Sequence, residues 1–173
     1  RQKKYGESLP WYQKMIDAKS EKYQPRALYR TGTCANELKQ WPVSQKHFEA
    51  LTKQFPKFEQ VSEAWYGLGF ALQNQNQLEQ AIQMYARVTQ QTNTESAAKA
   101  RFMMGECAFA QKKYDVAWEH FLEAALGYPY PEWQALGHFE AGRCFIELKM
   151  RDKARESLQT VVDRFPEHVR AKD

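Results

Sequence analysis

Between residues 62 and 72 the apolar positions keep a helical rhythm. Trp65, Leu68, Gly69 and Leu72 stand at i, i+3, i+4 and i+7, the stripe of an amphipathic helix packed along one side. After the polar stretch Asn74 to Gln77 the rhythm resumes at Ala81, Met84, Tyr85 and Val88, which predicts a second helix and so a helical hairpin. Another polar turn, Gln111 to Lys113, is followed by Ala117, Phe121 and Ala124 in the same spacing.

The hairpin recurs. Gly32, Gly69, Gly105 and Gly142 lie 37, 36 and 37 residues apart, and twelve residues after each stands a small residue: Ser44, Ala81, Ala117 and Ala154. Four further on come Phe48, Tyr85, Phe121 and Leu158, then Leu51, Val88, Ala124 and Val161, and at the end Pro56, Asn93, Pro129 and Pro166. Such a period marks stacked repeats. The Gly of the first helix and the small residue of the second are expected where the two backbones cross. Proline then stops the second helix, because it lacks an N–H and clashes with the preceding turn.

Both flanks join the pattern. Lys3, Lys4, Tyr5, Ser8, Tyr12 and Met15 align with Lys112, Lys113, Tyr114, Ala117, Phe121 and Ala124, so residues 3–20 are expected to form the second helix of an earlier unit, with Pro10 near its first turn. Past Pro166 the chain reads as the start of another unit. The expected partition is 1–24 as a partial repeat with its turn, then repeats at 25–61, 62–97, 98–134 and 135–171. A stack normally needs polar caps at its ends, so a longer repeat protein is expected.

The pattern resembles the tetratricopeptide repeat, W-x2-L-G-x2-Y then A-x3-F then P. The second unit carries Trp65, Leu68, Gly69, Leu72 in the Tyr slot, Ala81, and Tyr85 in the Phe slot. Departures are Leu28, Arg101 and His138 in the Trp slot, Thr31 and Ala141 in the Leu slot, and Asn93 in place of Pro. The resemblance implies an all-α, right-handed superhelical solenoid that binds a protein or peptide. The period and the endings Gln54-Phe55-Pro56 and Arg164-Phe165-Pro166 are similar to cell-envelope tetratricopeptide proteins of the Tol-Pal or outer-membrane assembly kind. Envelope and cytoplasm both stay open.

Composition narrows the function classes. The 173 residues are 43% hydrophobic and 27% charged, with a mean hydropathy of −0.78, and no run approaches the roughly 20 apolar residues of a membrane span. A net charge of +4 is too small and too dispersed for a nucleic-acid footprint. The 24 aromatic residues (10 Phe, 9 Tyr, 5 Trp) argue against disorder. Cys34, Cys107 and Cys144 each follow a repeat Gly by two residues. Small buried residues explain them, because stacked equivalents about 10 Å apart exceed the roughly 7 Å Cα limit of a disulfide.

No chemistry of catalysis stands out. His47, His120, His138 and His168 are scattered without metal-ligand spacing, Gly67 and Gly69 lack a third glycine and a preceding strand, and no Walker A or G-x-S-x-G pattern is present. No catalytic residue, metal or cofactor is expected.

By the tetratricopeptide resemblance, first helices line a concave face, and the residue three before each Gly points there: Tyr29, Tyr66, Phe102 and Phe139. The residue after each Gly adds Thr33, Phe70, Glu106 and Arg143, and the next turn adds Asn36, Glu37, Gln73, Asn74, Phe109, Ile146 and Glu147. Aromatics give contact area at low entropic cost and amides can pair a backbone, so this face is the candidate groove. The competing account is that the aromatic rings pack between neighbouring units. Tyr29 with Thr33 and Phe102 with Glu106 stand where carboxylate-clamp co-chaperones carry Lys and Asn, which disfavours a chaperone-tail clamp. RNA binding, as in pentatricopeptide arrays, is the alternative, opposed by Glu37, Glu63, Glu106 and Glu147; a purely structural spacer is a third.

Overall fold

The computed structural model describes residues 2–18 and 22–172, with side chains from residue 6 onward. Among the described residues there are nine α-helices and no strand. They are α1 (Gln2–Asp17), α2 (Gln24–Glu37), α3 (Trp41–Gln54), α4 (Val61–Asn74), α5 (Leu78–Gln91), α6 (Glu95–Ala110), α7 (Tyr114–Leu126), α8 (Pro131–Glu147) and α9 (Arg151–Arg164), followed by a 3-10 turn at Val169–Ala171. Each stripe in the sequence is a helix. The matching of the Lys3, Lys4 and Tyr5 side chains to later repeats, and the helix expected through residues 19 and 20, lie outside the described residues.

Pro10 is a correction. The helix begins at Gln2, so Pro10 sits inside α1 and not near its first turn. Elsewhere proline starts helices, at Pro25, Pro42 and Pro131, where the missing N–H has no intrahelical partner to lose.

The first helix of every hairpin closes through one device. Lys39, Asn76, Lys112 and Lys149, each seven residues after the repeat Gly, have φ of 58°, 60°, 60° and 59°. The next residue's N–H reaches back to the helix: Gln40 to the Ala35 carbonyl at 2.8 Å, Gln77 to Leu72 at 3.0 Å, Lys113 to Ala108 at 3.0 Å and Met150 to Phe145 at 2.8 Å. This is the Schellman closure, which satisfies carbonyls that the helix end leaves open. Second helices end as expected before proline. Phe55 and Phe165 take φ of −130° with ψ of 59° and 50°, outside the helical region that a following proline disfavours.

The chain divides into two compact units, residues 1–87 and 88–173. In the first, Leu28, Phe48, Leu51, Leu68 and Tyr85 are buried. In the second, Phe102, Phe121, Cys144 and Phe145 form one core with Ala117, Ala124 and Ala141, and Trp118, Leu122 and Trp133 pack against it.

The repeat glycines act differently from expectation. A Cβ on Gly32, Gly69, Gly105 or Gly142 would fall within 2.7–2.9 Å of the side chains of Phe48, Tyr85, Phe121 and Leu158 respectively. The missing side chain therefore makes room for the large residue of the second helix, and at Gly142 the Ala154 backbone carbonyl oxygen also lies 3.6 Å from the Cβ position, at the expected crossing. The four small residues Ser44, Ala81, Ala117 and Ala154 are buried.

Candidate partner-binding face

In the first unit the expected site residues Tyr29, Thr33, Asn36, Tyr66 and Phe70 are half-buried and Asn74 is exposed. The Tyr29 ring packs on Phe48 at 6.1 Å and Phe58 at 6.2 Å, and Tyr66 on Tyr85 at 5.4 Å. Thr33 Oγ1 donates to the Tyr29 carbonyl at 2.9 Å, and Asn74 Nδ2 to the Phe70 carbonyl at 2.8 Å. Asn36 Nδ2 crosses from α2 to the Gly67 carbonyl on α4 at 3.0 Å, while Phe70 meets Trp41 edge-on at 5.7 Å. Burial raises the Tyr29 phenol pKa, with Glu63 adding to it and Arg30 opposing. Burial also holds the Tyr66 phenol well above its usual range.

Phe102 is buried, its ring 5.1 Å from Phe121 and 5.6 Å from Trp133. The rings three before the glycine thus pack first on the aromatic residue of their own hairpin. Phe139 differs because its second-helix partner position is Leu158, and its ring instead takes the Arg170 guanidinium at 4.9 Å.

The second unit gathers the remaining candidates. Arg143 on α8 lies 4.9 Å over the Phe109 ring of α6 and donates from Nη1 to Glu140 Oε2 at 2.7 Å. Phe109 also meets Tyr114 in an edge-on contact at 5.1 Å. Glu140 is buried. Burial raises its carboxyl pKa, and Arg143 and Arg170 oppose that rise. Glu106 is raised by burial first and by Glu140 next, again against Arg143 and Arg170. Two carboxylates, two guanidiniums and two rings therefore share one electrostatic neighbourhood.

Sequence reasoning missed Glu140 and Arg170. Glu140 stands two before the repeat Gly, where the earlier units carry Arg30, Gly67 and Met103; only its charge on an otherwise irregular position signals it. Arg170 comes from the 3-10 turn beyond Pro166, at the offset where earlier units carry Gln60, Ala97 and Trp133, so no recurring charge marks it.

The cysteines are free and buried, and burial pushes the Cys144 thiol up to about 12. Among the described residues no group of three or more His, Cys, Asp or Glu is arranged to hold a metal ion. No helix among them is long and apolar enough to cross a membrane.

Helical hairpins in strict phase, each closed by the same left-handed turn, define the all-α tetratricopeptide class of helical-repeat solenoids. More narrowly, the family model YfiO, outer membrane lipoprotein, matches residues 21–173, and the chain belongs to that family. The envelope-type resemblance in the sequence is met by this match. No curated protein matches the chain. Solved structures do: MamA at 16% identity over 98% of this chain and 92% of that one, TM-score 0.82; and YrrB, a TPR protein with an unusual peptide-binding site, at 22% over 98% and 82%, TM-score 0.76. The apo form of RapI matches at 15% over 90% and 61%, TM-score 0.72. At these identities the likeness concerns the fold.

Proposed function

We propose that the chain is a non-catalytic interaction scaffold that holds an extended or helical segment of another protein against the face formed by the first helices α6 and α8 of its second unit. One observation carries this reading: Arg143 and Arg170 are stacked on Phe109 and Phe139 around Glu106 and Glu140. A guanidinium held flat on a ring has less freedom to lose on binding. Arg143 remains exposed beyond its bond to Glu140, so it can still offer donors to a backbone carbonyl or a carboxylate. Phe109 and Phe139 supply half-buried apolar contact beside them.

The repeat partition 25–61, 62–97, 98–134 and 135–171 belongs to the same proposal. The family supports action at the outer membrane of a bacterial envelope, with a protein as the bound partner.

Photocrosslinking in the native cell tests it. A benzoylphenylalanine in place of Phe109 or Phe139 in the full-length protein is expected to give a discrete adduct, lost when Arg143→Lys is added, which keeps a positive charge beside Glu140 and removes the guanidinium fork. Absence of adducts from both positions, or adducts indifferent to Arg143→Lys, would refute the proposal.

A further inference from the structure

Two departures from the repeat pattern meet in space. Arg101 occupies the slot filled by Leu28, Trp65 and His138 in the other units, and Asn93 stands where they have Pro56, Pro129 and Pro166. Both line one open groove of about 700 Å3 in the second unit, a volume in the range of binding sites. With arginine in the slot, polar chemistry stands where the other units place bulk.

One wall of the groove is α7, and Asn93, Arg101, Gly127 and Tyr128 complete the lining. Trp118, Leu122 and Leu126 form an apolar row at i, i+4 and i+8, the spacing that aligns residues along one side of a helix. Trp118 is held from behind by Phe145 at 5.3 Å. Leu126 is 67% exposed, an apolar side chain that no element of this unit covers. Beside the row run Glu119 and Glu123. Arg101 Nη1 meets Glu123 Oε2 at 2.8 Å, and the Arg101 Nε is buried without a hydrogen-bond partner. His120, facing Arg101, Glu119 and Glu123, has its pKa lowered by burial and is neutral near pH 7. Arg101 answers Glu123, which leaves the Glu119 carboxylate beside the apolar strip, while Lys153 Nζ lies 5.7 Å from the Trp118 ring centre.

We propose that this groove binds a polypeptide segment presenting a large apolar side chain next to a basic one. The apolar side chain lies along Trp118, Leu122 and Leu126, and the basic group reaches Glu119. The openness of the groove favours a chain laid along α7 over a small molecule, which needs most of its surface enclosed. The site is separate from Phe109, Phe139 and Arg143, and stands or falls without them.

The test uses nuclear magnetic resonance of the labelled full chain with the peptide acetyl-Gly-Ser-Leu-Arg-Leu-Ser-Gly-amide and a counterpart carrying Glu in place of Arg. Addition of the Arg peptide is expected to shift the Trp118 indole N–H and the Leu126 methyl resonances. The Glu peptide should bind about tenfold more weakly, since like charge at an interface is repulsive. Leu126→Asp and Glu119→Lys, both at exposed positions, should abolish the shifts, and Arg143→Lys, which keeps the charge beside Glu140, should leave them intact. Equal affinity for the two peptides, no shift at millimolar peptide, or shifts that survive both groove variants would overturn the proposal. So would sedimentation showing that Leu126→Asp turns a dimer into a monomer, because the occupant would then be a second copy of the chain.

Discussion

Asn36 on α2 donates its amide hydrogen to the carbonyl oxygen of Gly67 on α4 at 3.0 Å, joining two successive hairpins. The other amide atom, Oδ1, is buried without a partner. Replacement by alanine therefore removes one hydrogen bond and one unsatisfied acceptor together, and should cost under about 1 kcal/mol. Asn36→Asp sets a carboxylate oxygen against the Gly67 carbonyl and should cost about 2–3 kcal/mol at pH 7. That carboxyl would have a raised pKa in the folded protein, so the loss shrinks as pH falls and the acid form donates. Urea unfolding of both variants at pH 7 and pH 5 measures the difference; an Asp variant as stable as the Ala variant at pH 7 contradicts the assignment.

Gly137 and Gly6 make a contrasting pair. A Cβ at Gly137 would lie 2.4 Å from the Phe121 carbonyl oxygen and 2.9 Å from Ala125 Cβ, whereas one at Gly6 meets nothing within 4 Å. Since backbone cannot swing aside, Gly137→Ala should destabilise by about 1–3 kcal/mol or more. Gly6→Ala should be neutral or stabilising by up to about 1 kcal/mol, the helix preference of Ala over Gly. Thermal melts of the two variants distinguish them, and equal shifts would show that α7 and α8 are less closely apposed.

Much of this architecture was legible in the sequence, and the places where it was not share a cause. Periodic residues gave the helices because a stripe of apolar side chains needs one partner surface, whatever that surface is. The offsets did not say which atom fills the space over each glycine. Phe48, Tyr85, Phe121 and Leu158 do so, since a ring four residues beyond the small residue reaches back to the facing helix. The same rings claim Tyr29, Tyr66 and Phe102, which sequence position alone assigns to the open face. Glu140 escaped because burying a carboxylate is decided by a neighbour, Arg143, one turn away, and by Arg170 on the 3-10 turn beyond Pro166.

The left-handed closing residues were also invisible to a search for glycine. Lys112 and Lys149 adopt φ of 60° and 59°, a conformation that costs non-glycine residues about 1 kcal/mol or more. Lys112→Gly and Lys149→Gly should each raise the unfolding free energy by up to about 1 kcal/mol, because glycine is the preferred residue at this helix-ending position. Chemical denaturation reads this directly, and a loss of stability in both would contradict the closure.

Acid should weaken the second unit through His138. The residue is buried, both ring nitrogens lack hydrogen-bond partners, and its pKa is lowered by burial and by Arg164, with Glu156 opposing. A histidine held neutral in the fold and free to protonate when unfolded contributes stability that is present above about pH 6.5 and lost as pH falls below it. The raised carboxyls of Glu106 and Glu140 act in the opposite sense, favouring the fold as they protonate. Comparison of the wild type with His138→Leu isolates the histidine. Between pH 7 and pH 5 the variant's stability should fall less steeply, by at most about 1.4 kcal/mol per pH unit for one proton; parallel curves would assign the acid sensitivity elsewhere.

The Phe48 ring has a further consequence. A Cβ at Gly32 or at Gly67 would lie within 2.9 Å of the ring, so one side chain from α3 serves both α2 and α4. Neither helix can swing away without exposing the same ring to water. Nearest-neighbour coupling in a stacked repeat runs here through this ring together with the Asn36–Gly67 hydrogen bond, and it sets the unit of cooperativity: the slowest amide hydrogens of α2, α3 and α4 should exchange through one shared opening with one common protection free energy.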